Sequence, residues 1–574
     1  MDGVHDNTGI SELFKGKFDD LFNCVDFDKN DMNVLNDDIN KAINMEPLSD
    51  YNTLLISPEF VRKGIGNLKT GKNDGSLPLT SENVIYSTDI FHGHLSLLFS
   101  VMLRHGCSPE GMLLGTMVPL PKGRLNDLSN SKNFRALTIS SLLGKLLDNI
   151  ILNIESEHLF TNDLQFSFKA CSSTTMCTTM IRETISYFVN KGSNVYGLVL
   201  DATKAFDRIN YCKLFRILLE RNVNPLICRL LLNMYTNQKL RVKWANEFSS
   251  EFSVSNGVKQ GGVISPLLFC VYMDGLISEL LASSVGCFMG SVYAGIFLFA
   301  DDLKLLAPSI YALNIMLNIC MSYAARFDVL FNDKSQLIIF KSSKEDVPTP
   351  DIFINGTKLI AVSFINHLGH IIHDNIFFND ASKCERDFYI QVNSFLSDFR
   401  YLGSSMRNHL FLKYCTAFYG SQCLPVYDRK TMNGLYVAWR TAMKKVWRVP
   451  RTTHSDIIPI LADVMPPNLS FDKRAINFCN LLLKSKNKTV NMITGMAIHG
   501  SHSVLGQNIK YLSYKYNLNT NEITKLWNVK CHQQHELLRL CEQIKELCSL
   551  RDSPLDNVLT RYEAQVIIDE LCTG

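Results

Sequence analysis

Apolar positions along the chain alternate between two spacings, and each change of spacing marks a new element. From Ser81 to His105 the recurrence of Val84, Ile85, Ile90, Phe91, Leu95, Leu98, Phe99 and Met102 predicts a helix, which Gly106 and Pro109 end. Met112–Leu120 and Asn133–Ser140 have strand length and strand composition, and Leu142–His158 returns to helical spacing. Val195–Leu200 predicts a short buried strand that stops at Asp201, with a helix opening at Asp207 and running through Leu218. The Gly-Gly and Ser-Pro of residues 261–266 predict a loop entering a helix, with Pro266 in its first turn. Residues 292–307 carry an apolar run, Val292 to Ala300, then Asp301 and Asp302, then Leu303, Leu305 and Leu306. Such a run broken by a short polar pair predicts two strands joined by a tight turn.

Beyond that hairpin, Ile310–Leu330 predicts a helix, and residues 331–340 predict a polar turn and a strand. Asn355-Gly is a hairpin turn signal, Ile365–Ile372 has the pattern of a further strand, and from about residue 380 the spacing is helical throughout. Residues 1–50 are rich in Asp and Asn, with apolar side chains only at sparse positions such as Leu13, Phe14, Phe18, Leu21 and Phe22. That predicts at most one short amphipathic helix in a partly disordered segment.

At 574 residues, 46% of them hydrophobic, the chain has material for several cores. The N-terminus lacks a basic-then-apolar signal pattern, and no uninterrupted apolar run approaches the roughly 20 residues that span a bilayer. Seventeen cysteines occur without one Cys-x-x-Cys pair, which predicts free thiols in a reducing compartment, nucleus or cytoplasm. The formal charge of +3 hides an asymmetry. Residues 1–60 carry thirteen acidic against four basic side chains, and residues 381–450 carry eleven basic against four acidic. This points to an acidic leader and a later segment facing nucleic acid, or else to two solvated faces.

The candidate chemistry starts from Asp301 and Asp302. Two carboxylates at the tip of a buried hairpin are costly unless a cation compensates them; otherwise the pair is turn chemistry. Asp201, at a strand end, is the natural third carboxylate, and hard oxygen donors of this kind suit Mg²⁺. Lys122 and Arg135 flank a loop and have the charge to grip a triphosphate. The glycines after Gln260 permit close backbone approach to a ligand, with Gln260 directed at it. Cys531, His535, Cys541 and Cys548 are near one another in sequence, but their spacings fit no common zinc pattern.

Three stretches together carry a family resemblance. Asp201-x-x-x-Ala205-Phe206-Asp207, Gln260-Gly-Gly-x-x-Ser-Pro266 and Phe299-Ala-Asp-Asp302 resemble motifs A, B and C of reverse transcriptases, in the form of LINE-type, jockey-like retrotransposons without long terminal repeats. Leu120-Pro-Lys122 with Asn133-Phe-Arg135 is similar to the fingers motif, Gln165-Phe-Ser-Phe-Lys169 to the next block, and Asn332-Asp-Lys334-Ser to motif D. His367-Leu-Gly369 is similar to motif E, the primer grip, and Trp439–His454 to the thumb. The chain departs from the family in reading Lys-Asn-Asp-Gly at 72–75 for the usual Gly-Pro-Asp-Gly. It also has Ala136 for Pro, and Ser167 and Lys169 for Gly and Arg, departures that bear on template handling more than on chemistry.

The resemblance implies an α+β right-hand polymerase fold, with fingers, a palm built on an antiparallel sheet, and a helical thumb. The implied division is an acidic, partly disordered segment at 1–60, fingers and palm at 61–375, a basic thumb at 376–465 and a C-terminal helical region at 466–574. The implied activity is RNA-directed DNA polymerisation on an RNA template from a DNA primer. Two Mg²⁺ ions, with Mn²⁺ as a substitute, would be held by Asp201, Asp301, Asp302 and the Ala202 carbonyl. Lys122, Arg135, Ala205, Phe206, Gln260 and Gly261 would bind the deoxynucleoside triphosphate, with Phe206 excluding a 2′-hydroxyl. Lys334 would be the proton donor to pyrophosphate, and His367, Leu368 and Gly369 would hold the primer. No membrane is expected as a partner. The family's endonuclease has no room in residues 1–60, so the chain is expected to be a fragment, a truncated copy or a protein that borrows its nicking activity. The alternative is an inactive or co-opted relic that binds RNA or hybrid without synthesis.

Overall fold

The structure, a computed structural model, describes residues 1–25, 28–45, 55–74, 79–123, 127–259, 261–332, 334–343, 350–376, 378–500 and 502–516. Gln260, Gly75 and the cluster Cys531, His535, Cys541 and Cys548 lie outside these residues.

Two sheets stand at the centre. The first contains β1 (Leu114–Pro121), β2 (Phe134–Ile139), β4 (Lys239–Trp244), β5 (Glu247–Phe248) and β6 (Phe252–Ser253), in the order β2-β1-β4-β5 with β6 also on β4. β1 runs antiparallel to β2 and parallel to β4. The second sheet has the order β14-β11-β3-β10-β9, with β3 (Val195–Asp201) in the middle. Its other members are β9 (Ile296–Phe299), β10 (Asp302–Ala307), β11 (Gln336–Phe340) and β14 (Ala361–Val362). β3 is antiparallel to both β10 and β11. Small antiparallel ribbons complete the set: β7 (Phe288–Met289) with β8 (Val292–Tyr293), β12 (Phe353–Ile354) with β13 (Thr357–Lys358), and β15 (Phe364–His367) with β16 (His370–His373).

β3 is buried at every position except Asp201 because helices cover both faces of its sheet. Leu198, Leu200, Leu303 and Leu305 face one core, shared with the helices Tyr211–Glu220, Ser265–Ala282 and Ile310–Arg326. Val195, Val199, Phe297 and Leu306 face the other, shared with Thr174–Asn190 and the C-terminal helices. A sheet buried on both sides needs continuous apolar strands, which is why these stretches lack the alternation of a half-exposed strand. Ser265–Ala282 is apolar all round for the same reason: its side chains fill the first of these cores.

The composition of the N-terminal segment predicts at most one short helix, and its described residues hold two. Helices Asn7–Phe22 and Lys29–Met45 occupy most of it. Ile10, Phe14, Phe18 and Phe22 repeat at helical spacing and bury themselves on the first sheet against Phe134, Val242 and Trp244. Few apolar residues suffice because all of them lie on one stripe.

Other expectations shift locally. Ser81–His105 is two helices, Ser81–Ile85 and Asp89–His105, and the helix after Asp201 begins at Tyr211, capped by Asn210, with Asp207 in a preceding 3-10 turn. Ile365–Ile372 is a hairpin instead of one strand. The helices from Ala381 to Trp447 share a core with Phe471, Ala475, Ile476 and Leu512, so no core boundary falls at 465–466. The cysteines among the described residues are all unpaired thiols.

Candidate active site

The register of β3 against β10 places Asp302 directly opposite Asp201. Paired residues in antiparallel strands project to the same face, with Cα atoms about 4.5–5.5 Å apart. The hairpin turn itself is Ala300-Asp301, since Phe299 pairs with Asp302. Asp302 is therefore the first residue of the returning strand, not part of the tip.

Ala300 has φ 57°, unusual for a residue with a Cβ. Its N–H donates to Ser167 Oγ at 2.9 Å and to Gln165 Oε1 at 3.3 Å, and both of these side chains are buried. The block Gln165–Lys169 thus braces the turn. Ser167, where the family usually has Gly, supplies one of the two acceptors. Lys169, in place of the usual Arg, donates to the Thr161 and Asn162 carbonyls.

Each carboxylate has its own surroundings. Asp201 Oδ2 accepts from Asn332 Nδ2 at 2.7 Å, and the Asp201 carbonyl accepts from Asn332 N at 3.1 Å. Asp301 opens onto a cavity, yet crowding by protein atoms and then the charges of Asp302 and Asp201 raise its pKa. Asp302 Oδ1 pairs with Lys304, two residues along the same face and almost wholly buried. Asp302 Oδ2 lies 4.0 Å from His367 Nε2.

His367 is fully buried, with Nδ1 2.8 Å from Thr178 Oγ1. Burial, and then the positive charges of Lys304, His370 and Arg182, hold its pKa well below the usual range, so it stays neutral.

Among the described residues, no three His, Cys, Asp or Glu side chains are grouped closely enough to hold an ion as they stand. The donor set nevertheless suits a hard divalent cation. All three groups supply carboxylate oxygens, Asp201 and Asp302 share a face, and the pKa of Asp301, raised by burial first and by the neighbouring carboxylates second, shows a charged form that a cation would stabilise.

The cavity beside Asp301 has a volume of about 580 Å³. Lys122, Arg135, Lys204, Lys259 and Lys17 line it, against the acids Asp207 and Asp301. Arg135 is paired across the first sheet with Leu120, which puts it at the same end as Lys122. Phe206 lines the cavity with its ring stacked on Phe269, centroids 4.2 Å apart. Gly261 has φ 111°, and a Cβ there would lie 2.7 Å from the Thr138 carbonyl oxygen. Only glycine fits that close approach between loop and sheet.

Not every predicted residue reaches this site. Lys334 does not line the cavity; its N–H donates to Asn332 Oδ1 at 2.9 Å. Ala202 and Ala205 are buried and do not line the cavity. Leu368 and Gly369, with φ 49° and 86°, form the tip of the β15–β16 hairpin, and Tyr419 Oη donates to the Leu368 carbonyl at 2.7 Å. His367 lies below that tip and offers no surface.

Sequence reasoning missed Lys17, Lys204, Lys259, Lys304 and Asn332. Lys204, Lys259, Lys304 and Asn332 sit inside or beside the recognised motifs, where a scan for charge would have found most of them. Lys17 is distant in sequence and had no such signal.

A family model described as "Reverse transcriptase (RNA-dependent DNA polymerase)" matches residues 120–372. The retrovirus-related Pol polyprotein of the type-1 retrotransposable element R2 of Nasonia vitripennis is 28% identical over 214 residues, 37% of this chain and 20% of that protein. The RNA-directed DNA polymerase from the mobile element jockey of Drosophila funebris is 24% identical over 334 residues, 56% of this chain and 36% of that protein. The chain therefore spans a minor part of the length of either relative. A solved apo telomerase from Candida tropicalis, truncated from its C-terminal domain, covers 50% of this chain and 60% of its own at 12% identity. Its TM-score is 0.34.

Proposed function

From the premise that residues 120–372 are a reverse-transcriptase domain of the kind carried by LINE-type retrotransposons, we propose that the chain extends a DNA primer on an RNA template. The first sheet with its helices serves as fingers, the second sheet as palm and the helices from Ala381 to Trp447 as thumb. The observation that carries the reading is the Asp201–Asp302 register next to Asp301, which itself lines a cavity walled by cations.

Asp201 and Asp301 would hold two Mg²⁺ ions with help from Asp302 and the Ala202 carbonyl. When bound, such ions acidify the primer 3′-hydroxyl and neutralise charge on the triphosphate and departing pyrophosphate. The chain's own side chains do the rest. Lys122 and Arg135 bind the outer phosphates by charge-assisted hydrogen bonds. Phe206, stiffened by Phe269, forms the floor beneath the sugar, and Gly261 lets the backbone approach the base and sugar. Lys304 offsets one negative charge at Asp302, which lets three carboxylates coexist at one strand end. The hairpin tip Leu368-Gly369 meets the primer, steadied by Tyr419.

The test is primer extension on an RNA template with purified full-length protein and its Asp301→Asn variant. Wild type should extend, and the variant should lose on the order of 10³ in rate or more, the cost of a lost ion ligand. Its thermal stability should be equal or higher, because the cost of burying the charge, and then like-charge repulsion, are relieved. Undiminished extension by Asp301→Asn would place the chemistry elsewhere.

A further inference from the structure

The cavity beside Asp301 has a wall that none of the recognised motifs supplies. It is the N-terminal helix Asn7–Phe22, which contributes Lys17, Phe18 and Leu21 to the lining. The helix is fixed there from two directions. Phe14 packs edge-on to Phe134 and stacks on Trp244, with centroids 5.2 and 5.4 Å apart. At its C-terminus the Phe22 carbonyl accepts from Ser255 N and Asn256 N, and Asn23 Nδ2 donates to the Ser253 carbonyl at 3.0 Å. Asn256 Nδ2 in turn donates to the Asp207 carbonyl at 2.5 Å. The helix is thereby tied both to the sheet that carries Arg135 and to the chain leading into Lys259 and Gly261.

Lys17 leaves this helix half-buried. One of its three N–H groups donates to the Ser131 carbonyl, which holds the ammonium at the mouth of the cavity. Burial and then the charge of Lys122 lower its pKa, with Lys204 and Lys132 adding to the effect and Asp2 opposing it. Cations this crowded gain from a polyanion that touches all of them.

We propose that Lys17 is a further triphosphate-binding residue, acting with Lys122 and Arg135 on the phosphates of the incoming nucleotide, and that the N-terminal helix is a structural wall of the nucleotide site. The inference rests on the polymerase reading for the identity of the ligand. The phosphate site itself stands on the geometry.

The experiment compares full-length wild type with Lys17→Met, Lys17→Arg and Lys15→Met. Lys15 is on the same helix but donates to Ser250 Oγ, away from the cavity. Single-nucleotide incorporation at saturating primer–template measures KM and kcat. Calorimetric titration with inorganic tripolyphosphate, without template, measures phosphate affinity. Lys17→Met should raise the nucleotide KM about tenfold with kcat within about twofold, the effect of one charge-assisted contact. Tripolyphosphate affinity should fall by a similar factor. Lys17→Arg should restore most of both, and Lys15→Met should match wild type.

The proposal is overturned if KM and tripolyphosphate affinity stay unchanged in Lys17→Met. It is equally overturned if Lys17→Met instead lowers the melting temperature or template affinity and Lys17→Arg fails to rescue. A wild type that incorporates nothing, yet binds tripolyphosphate through Lys17, would sink the polymerase reading while supporting the phosphate site.

Discussion

At the scale of single residues, the site depends on a few contacts that sequence spacing alone does not reveal. Ala300 can hold a positive φ because Gln165 and Ser167 capture its N–H, so the position of Asp301 is set by residues 135 and 133 positions before Ala300 in the chain. Phe206 joins a packing contact to a place on the cavity wall. Its ring stacks on Phe269 and also lines the cavity. Phe206→Val should open space beside the sugar and improve ribonucleotide use relative to deoxynucleotide by roughly tenfold to a hundredfold. Incorporation assays with each nucleotide type would measure that ratio. A ratio unchanged from wild type, with both rates lowered together, would reduce Phe206 to a packing residue.

At the scale of elements, the N-terminal helix changes most between expectation and structure. Thirteen acidic side chains among the first sixty residues suggest a solvated leader, yet Ile10, Phe14, Phe18 and Phe22 form one buried stripe. Phe14 meets Phe134 of β2 and Trp244 of β4, and composition cannot register that. Phe14→Ala should cost about 3–5 kcal/mol of stability, as expected for a buried aromatic truncated in a packed core. If the helix is a wall of the nucleotide site, nucleotide affinity should fall along with it. Chemical denaturation and nucleotide titration on the same preparation would check both. A loss below about 1 kcal/mol would mean that the helix is only loosely docked.

At the scale of the whole molecule, the C-terminal helices weld the second sheet to the helical bundle, and one titratable group sits in that joint. Glu183, on the helix Thr174–Asn190, is buried, and its Oε2 has no hydrogen-bond partner among the described residues. Burial raises its pKa to about 7, against opposing hydrogen bonds from Ser503 and Leu505 N and the charge of Arg182. A carboxyl whose pKa is raised on folding binds its proton more tightly in the native state. The folded protein is therefore favoured below about pH 4.5 at this group and loses stability as pH climbs toward 7. Glu183→Gln should raise the melting temperature at pH 8, by an amount corresponding to at most about 3 kcal/mol. That advantage should vanish near pH 4. An identical gain at both pH values would show that charge is not its cause.

The same joint separates what sequence decides from what folding decides. Local patterns were sufficient for the strands β3 and β10, the Asn355-Gly turn and the order of the three motifs, because period, turn chemistry and motif spacing are properties of short stretches. The run Val292–Ala300, which reads as one strand, instead divides into β8 on β7 and β9 on β10. Tertiary structure alone decided that Asp302 faces His367, that Ser167 braces Ala300, and that Lys17 enters the cavity. Each of these joins residues that the sheets or a docked helix bring side by side. The energy of burial that holds them there belongs to the packed whole and to no segment of it.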